Sequence, residues 1–189
     1  MRLVLASSSP RRRDLLARIG VTPDRIDAPD IDETPLPGEL PRAYVLRMAE
    51  QKAYAVTRDA DEIVLAGDTT IALGRRILAK AEDEAEQLRM LSLLSGRRHH
   101  CLSSVCVIDR EGRARVRLSD STVAFKRLSA AEIDRYIATG EGLGKAGGYA
   151  IQGRAEALVR FMSGSHSGVV GLPLFETRAL LETSGYPLG

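Results

Sequence analysis

Short apolar runs alternate with segments of helical period along this chain, and most of its elements can be placed from that pattern. Leu3-Val4-Leu5 predicts a short buried strand, and Asp14 to Ile19 the helix that follows it, with Gly20 as its stop. A second helix is expected from Pro41 to about Thr57, with Tyr44, Val45, Met48 and Ala55 inward and Lys52 on a flank. Ile63 to Ala66 reads as a buried strand interrupted by Gly67-Asp68-Thr69. The β pattern resumes from Thr70 to Leu73, and Gly74-Arg75-Arg76 turns it into Ile77-Leu78. Asp83 to Leu94 predicts a helix with Leu88, Leu91 and Leu94 inward and Gly96 as its end. His99 to Ile108 and Arg113 to Phe125 form a long hairpin across Asp109-Arg110-Glu111-Gly112. Ser129-Ala130-Ala131-Glu132 is a capping box opening a helix that ends at Gly140. A glycine-rich stretch, Gly140 to Gly153, follows. Two short strands are expected around Tyr149–Ile151 and Leu158–Met162, then a Gly164–Gly168 turn and a last helix from Pro173 toward Ser184. Strands and helices alternating around a central hairpin predict an α/β fold with a mixed sheet.

With 189 residues, 44% of them hydrophobic, the chain has enough apolar surface for a full core in one large domain or two lobes. No run approaches the ~18 apolar residues of a membrane span. No basic-then-apolar leader precedes a cleavage site, so the expectation is a cytoplasmic protein without a membrane partner. Cys101 and Cys106, five apart in a strand, point to opposite faces and cannot pair; both read as reduced and structural. They and the histidines give no zinc spacing. A formal charge of +2, with no tryptophan for stacking, argues against a nucleic-acid partner. Of the 27 basic residues only Lys52, Lys80, Lys126 and Lys145 are lysines, which makes each a candidate for a distinct task.

The candidate chemistry begins at Ser7-Ser8-Ser9-Pro10-Arg11-Arg12-Arg13. Ser9 stands at an N-cap and Pro10 at the first helical position, so a strand runs into free helix N–H groups beside three hydroxyls and three guanidiniums. Basic residues there oppose the helix macrodipole, which favours a phosphate-chain site over a capped helix with a solvated first turn. Asp68 places a carboxylate at a glycine in an apolar strand, equally readable as a turn aspartate bonding its own backbone; Asp32 and Glu33 lie in a proline-bounded loop, with the choice between cation site and solvated acids open. Lys145 stands among glycines, which favours a ligand there; Gln152 after Tyr149-Ala150-Ile151 has the donor and acceptor to read a base edge, beside the commoner reading of a satisfied strand-end amide. No P-loop, nucleophile elbow or dinucleotide fingerprint is complete. Two acids, several lysines and an arginine-bearing helix start suit metal-assisted attack on a nucleotide polyphosphate.

These residues also carry a resemblance. Ala6-Ser7-Ser8-Ser9-Pro10-Arg11-Arg12, Gly67-Asp68-Thr69, Lys80, Leu94-Ser95-Gly96, Lys145 to Gly153 and Val169-Val170-Gly171-Leu172-Pro173, in this order and spacing, resemble the Maf family of nucleoside triphosphate pyrophosphatases. The resemblance runs from Leu3 to about Leu181. It implies a single domain, residues 1–189, in which two lobes and a long mixed sheet flanked by helices enclose a central cleft. It also implies hydrolysis of a nucleoside triphosphate to monophosphate and pyrophosphate with a divalent cation, Mg²⁺ or Mn²⁺, and dimers are common in the family. By resemblance Asp68 accepts the proton of the attacking water, and Glu33 and Asp68 lie at the metal. Arg12, Lys52, Lys80 and Lys145 neutralise phosphates; Arg11, Thr69 and Gln152 govern substrate choice; Ser7 and Ser9 belong to the substrate loop. Thr69 with Tyr149 to Gly153 resembles the branch acting on dTTP and UTP rather than on 7-methyl-GTP. Many relatives have Asp where this chain has Gly144; Glu141 is the expected substitute.

Overall fold

The computed structural model describes residues 1–189. Seven strands form one mixed sheet: β1 (Arg2–Ala6), β2 (Arg25–Ile26), β3 (Glu62–Leu73), β4 (Arg76–Leu78), β5 (Arg98–Ile108), β6 (Ala114–Phe125) and β7 (Val159–Ser163). Their order is β2-β1-β3-β5-β6-β7, with β4 pairing on β3. β1 runs parallel to β2 and β3, whereas the β3-β5-β6-β7 portion is antiparallel. Six helices surround it: α1 (Pro10–Arg18), α2 (Pro41–Tyr54), α3 (Glu84–Leu94), α4 (Ala130–Ile137), α5 (His166–Val170) and α6 (Leu174–Thr183).

The period-two alternation of the strands divides the core into two faces. Leu3, Leu5, Ile63, Leu65 and Cys101 join the cluster containing Leu15 and Leu16 of α1, Val169 of α5 and Leu180 of α6. Val4, Ala6, Val64, Ala66 and Cys106 join Ala49 and Ala53 of α2 on the other. The two cysteines are thus free and on opposite faces, and burial pushes both thiols up to about 12.

The expected hairpin, the capping box at Ser129 and the helix begun by Pro10 are all present. Other expectations are corrected. β3 runs unbroken through Gly67-Asp68-Thr69, paired residue for residue with β5. Gly67 interrupts nothing; a Cβ there would lie 3.0 Å from the Ser104 carbonyl oxygen, so glycine answers a close approach. Helix α2 ends at Tyr54 rather than Thr57, with Ala53 inward, Ala55 exposed and Lys52 buried instead of flanking. Leu88 is exposed, and the amide of Gln87 takes the inward place. Tyr149–Ile151 is buried irregular backbone that enters a turn at Ile151, not a strand, and Ser165 caps a short helix where only a turn was expected.

β1 leaves β3 at Ala66, and β4 joins the same edge only at Ile71. Between them, Gly67 to Thr70 have no strand neighbour on that side. This gap at the carboxyl end of β1, faced by the Ser7–Ser9 turn, is where a ligand site belongs in such a sheet.

Candidate active site

A cleft of about 340 Å³ opens at that gap. It is lined by Ser7, Ser8, Ser9, Arg11 and Arg12 from the turn into α1, by Glu33 from the loop before α2, and by Lys52 of α2. Asp68 and Thr69 of β3, Lys80, Lys145 and Gln152 complete it. Arg13, one turn position further on, is exposed and outside the cleft, so only two of the three guanidiniums face it. Asp32 is also outside; its carboxylate accepts the Thr34 backbone N–H in an exposed turn.

Alternation along β3 sends Asp68 and Thr69 to opposite faces. Asp68 falls on the α2 side, where the buried Lys52 Nζ donates to its Oδ1 at 2.7 Å and lies 3.1 Å from Glu33 Oε1. Lys80 donates to the other Glu33 oxygen at 2.9 Å. Burial pushes the Glu33 carboxyl up, but the bond from Lys80 and the charge of Lys52 outweigh it and hold the group below its ordinary value. Tyr44 fixes this loop by donating its hydroxyl to the Glu33 carbonyl at 2.9 Å. Burial, with the charges of Asp68 and Glu33, pushes the Tyr44 phenol well up, so it stays a neutral donor.

Thr69 falls on the α5 side. Its Oγ1 lies 2.9 Å from Ser103 Oγ on β5 and donates to the Gly171 carbonyl at 3.3 Å. Arg12 Nε donates to the same carbonyl at 2.9 Å, and its Nη1 to Ser7 Oγ at 2.9 Å. Desolvation lowers the Arg12 guanidinium against the pull of Asp68 and Glu33, and lowers Arg11 too. Both remain charged. Ser9 has N-cap backbone geometry but its side chain makes no cap bond, which leaves its hydroxyl to the cleft.

Lys80 and Lys145 are held by one backbone ladder: Lys80 forms a β-bridge with Ala146, and Ala81 N–H donates to the Lys145 carbonyl. Desolvation, then the charge of Arg11, pushes the Lys145 ammonium below its usual value. Glu141 does not reach the cleft and leaves the place of Gly144 unfilled; its carboxylate accepts the Arg154 backbone N–H at 2.7 Å. Lys126 is likewise elsewhere, bonded to Glu132.

The only carboxylates at the cleft are Glu33 and Asp68, and no group of three His, Cys, Asp or Glu side chains in the chain is arranged to hold a metal ion. That donor set fits a hard cation such as Mg²⁺, which takes one or two protein carboxylates and draws its other oxygens from phosphates and water. The arrangement sets several fixed cations and a buried carboxylate around one cleft, groups of the kind that phosphoanhydride chemistry uses.

Residues 2–184 match the model of the Maf family, described as Maf-like protein. The chain belongs to the Maf family. A protein of Sphingopyxis alaskensis named dTTP/UTP pyrophosphatase is 72% identical over 187 residues, covering 99% of this chain and 98% of its own. One from Rhodospirillum rubrum with the same name is 59% identical over 188 residues, covering 99% and 90%. Among solved structures, the Staphylococcus aureus Ham1 protein has a TM-score of 0.54 at 14% identity, covering 97% of this chain and 99% of that one, a likeness of fold. No helix of this Maf-like chain is long and apolar enough to cross a membrane.

Sequence reading missed the groups that work through backbone. The Gly171 carbonyl joins Arg12 to Thr69, yet the Val169–Pro173 motif pointed to no role. Tyr44 read only as an inward helix residue, and Ser103 as one more strand position.

Proposed function

We propose that this chain hydrolyses dTTP and UTP to the nucleoside monophosphate and pyrophosphate. The observation that carries this reading is the gathering of Arg12, Lys52, Lys80 and Lys145 with the carboxylates of Asp68 and Glu33 around one cleft. The names borne by the Sphingopyxis and Rhodospirillum relatives supply the substrate class. The water oxygen adds to the α-phosphorus as the bond from the α-phosphorus to the α–β bridging oxygen breaks. Asp68 takes the proton that the water loses, and the pyrophosphate leaves with the bridging oxygen. Lys52, bonded to Asp68 Oδ1, holds that carboxylate in place at the cleft.

Arg12, Lys80 and Lys145 neutralise phosphate oxygens, with Arg11 closing the cleft from the α1 side and the hydroxyls of Ser7 and Ser9 at the phosphate turn. Glu33 and Asp68 would hold a divalent cation, which supplies further charge neutralisation on the phosphates. Thr69 and Gln152 read the base: the Gln152 amide both donates and accepts, which matches the N3–H and carbonyl edge of uracil and thymine. The enzyme works in the cytoplasm on free nucleotides, as one domain with two lobes about the cleft.

The test is a panel of kcat/KM values for dTTP, UTP, CTP, ATP and 7-methyl-GTP with Mg²⁺ and Mn²⁺. A base lacking one buried hydrogen bond should lose about one to two orders of magnitude. Preference for 7-methyl-GTP, or none, removes the pyrimidine assignment.

A further inference from the structure

The segment between Lys145 and Gln152 is gripped from behind by three buried side chains, one on each of three consecutive residues. Gln87 of α3 donates from Nε2 to the Gly148 carbonyl at 3.0 Å. His99 of β5 shares a 2.9 Å hydrogen bond between its Nε2 and the Tyr149 hydroxyl. Tyr136 of α4 accepts the Ala150 N–H on its hydroxyl at 2.9 Å. None of the three gripping residues lines the cleft, whereas Tyr149 and Ala150 do.

Packing alone does not account for this choice of side chains. Gln87 Oε1 and His99 Nδ1 are buried with no hydrogen-bond partner, a desolvation cost that a leucine or phenylalanine of like size would not carry. His99 already stands edge-on to Phe125 and Tyr149, a place a phenyl ring would fill. What the polar groups add is direction: three hydrogen bonds from three elements fix the height and register of a turn that has no regular structure of its own. The neighbouring backbone is equally confined, since a Cβ on Gly142 would lie 2.1 Å from the Gly148 carbonyl oxygen. Gly147, at φ +70°, sits against Ile71.

We infer that Gln87, His99 and Tyr136 are positioning residues for base selection, setting Gln152 at the height that tells a pyrimidine from a purine. This inference rests on the proposed base-reading role of Gln152. The grip acts on Gln152 through the single intervening residue Ile151, in a turn closed by Gly153 N–H donating to the Ala150 carbonyl at 3.0 Å. A displacement at Ala150 therefore carries directly to the base-reading amide.

Tyr136→Phe removes one oxygen atom and keeps the ring; Gln152→Ala is the benchmark. The readout is the ratio of kcat/KM for dTTP over ATP in the two single variants and the double variant, with melting temperatures alongside. The expected result is a ratio lowered about fivefold or more in Tyr136→Phe, falling on KM for dTTP, and no further loss when the change is added to Gln152→Ala. Wild-type selectivity in Tyr136→Phe beside altered selectivity in Gln152→Ala overturns the positioning role alone. So does a loss equal for both nucleotides that follows a lowered melting temperature. Unchanged selectivity in Gln152→Ala overturns the reading of Gln152, and the positioning role with it. His99→Phe, which keeps a ring against Phe125, is the second variant and is held to the same outcomes if Tyr136→Phe does not fold.

Discussion

Lys52 is bonded to Asp68 at 2.7 Å inside the protein, and the partnership joins the helix before β3 to the strand that carries the proposed base. Each side chain is nearly buried, so neither charge is tolerable without the other. The same ammonium also lies 3.1 Å from Glu33, and one cation thereby keeps two carboxylates of a small cleft from repelling each other.

Lys52→Met keeps the aliphatic stem and removes that cation. Breaking a buried pair costs about 3 kcal/mol or more, and turnover of dTTP should fall by ~10² or more. Urea denaturation and steady-state kinetics check both. Wild-type turnover in this variant would mean that the pair is a packing feature only.

Lys80→Ala should lower kcat/KM for dTTP by one to two orders of magnitude, because a charge-assisted bond contributes ~1.5–3 kcal/mol. Lys126→Ala is the control, since its ammonium is engaged by Glu132 away from the cleft. Equal effects of the two substitutions would dismantle the phosphate clamp.

Gly67→Ala would place a methyl group 3.0 Å from the Ser104 carbonyl oxygen, 3.4 Å from Leu172 Cδ1 and 3.5 Å from Arg12 Nε. Forcing β3 from β5 costs about 1–3 kcal/mol. It should also displace Asp68 and Arg12, so activity and melting temperature fall together. A variant that keeps both would show that the glycine answers no close approach.

How much of this was legible beforehand depended on whether the signal was local. The capping box at Ser129 and the Asp109–Gly112 turn announce themselves because their hydrogen bonds close within a few residues. Gly67 was read as a break because a glycine in an apolar run has two meanings, and only the neighbouring strand decides between them. Lys52 looked like a flank residue, since helical period gives no credit to a buried cation whose partner lies sixteen residues on. Tyr149–Ile151 has strand composition but lies buried as irregular backbone held by Gln87, His99 and Tyr136, none of them close in sequence. Lys145, read as standing beside a ligand, and Gln152, read as facing a base edge, both line the cleft, while the groups that hold their loop were invisible.

Acid stability offers a separate check on His99. Burial, helped by the charge of His100, depresses its pKa to about 4, against an ordinary value near 6.5. The unfolded chain therefore binds the proton first as pH falls. Stability from the neutral folded imidazole is full above about pH 6.5 and is lost progressively down to about pH 4, by at most about 3 kcal/mol. Thermal melts across this range should show a steeper decline for the wild type than for His99→Phe. Parallel declines would place the histidine in a protonated or solvated state.

The proposed role of Asp68, to take the proton of the attacking water, is isolated by a single variant. Asp68→Asn keeps the shape of the side chain and removes the base. The measurement is the rate of pyrophosphate and dTMP release from dTTP in this variant and in the wild type, with circular dichroism to confirm the fold. Equimolar dTMP and pyrophosphate are expected from the wild type, with a rate lower by ~10²–10⁴ in the folded variant. Release of pyrophosphate at the wild-type rate by a folded Asp68→Asn protein would contradict that role.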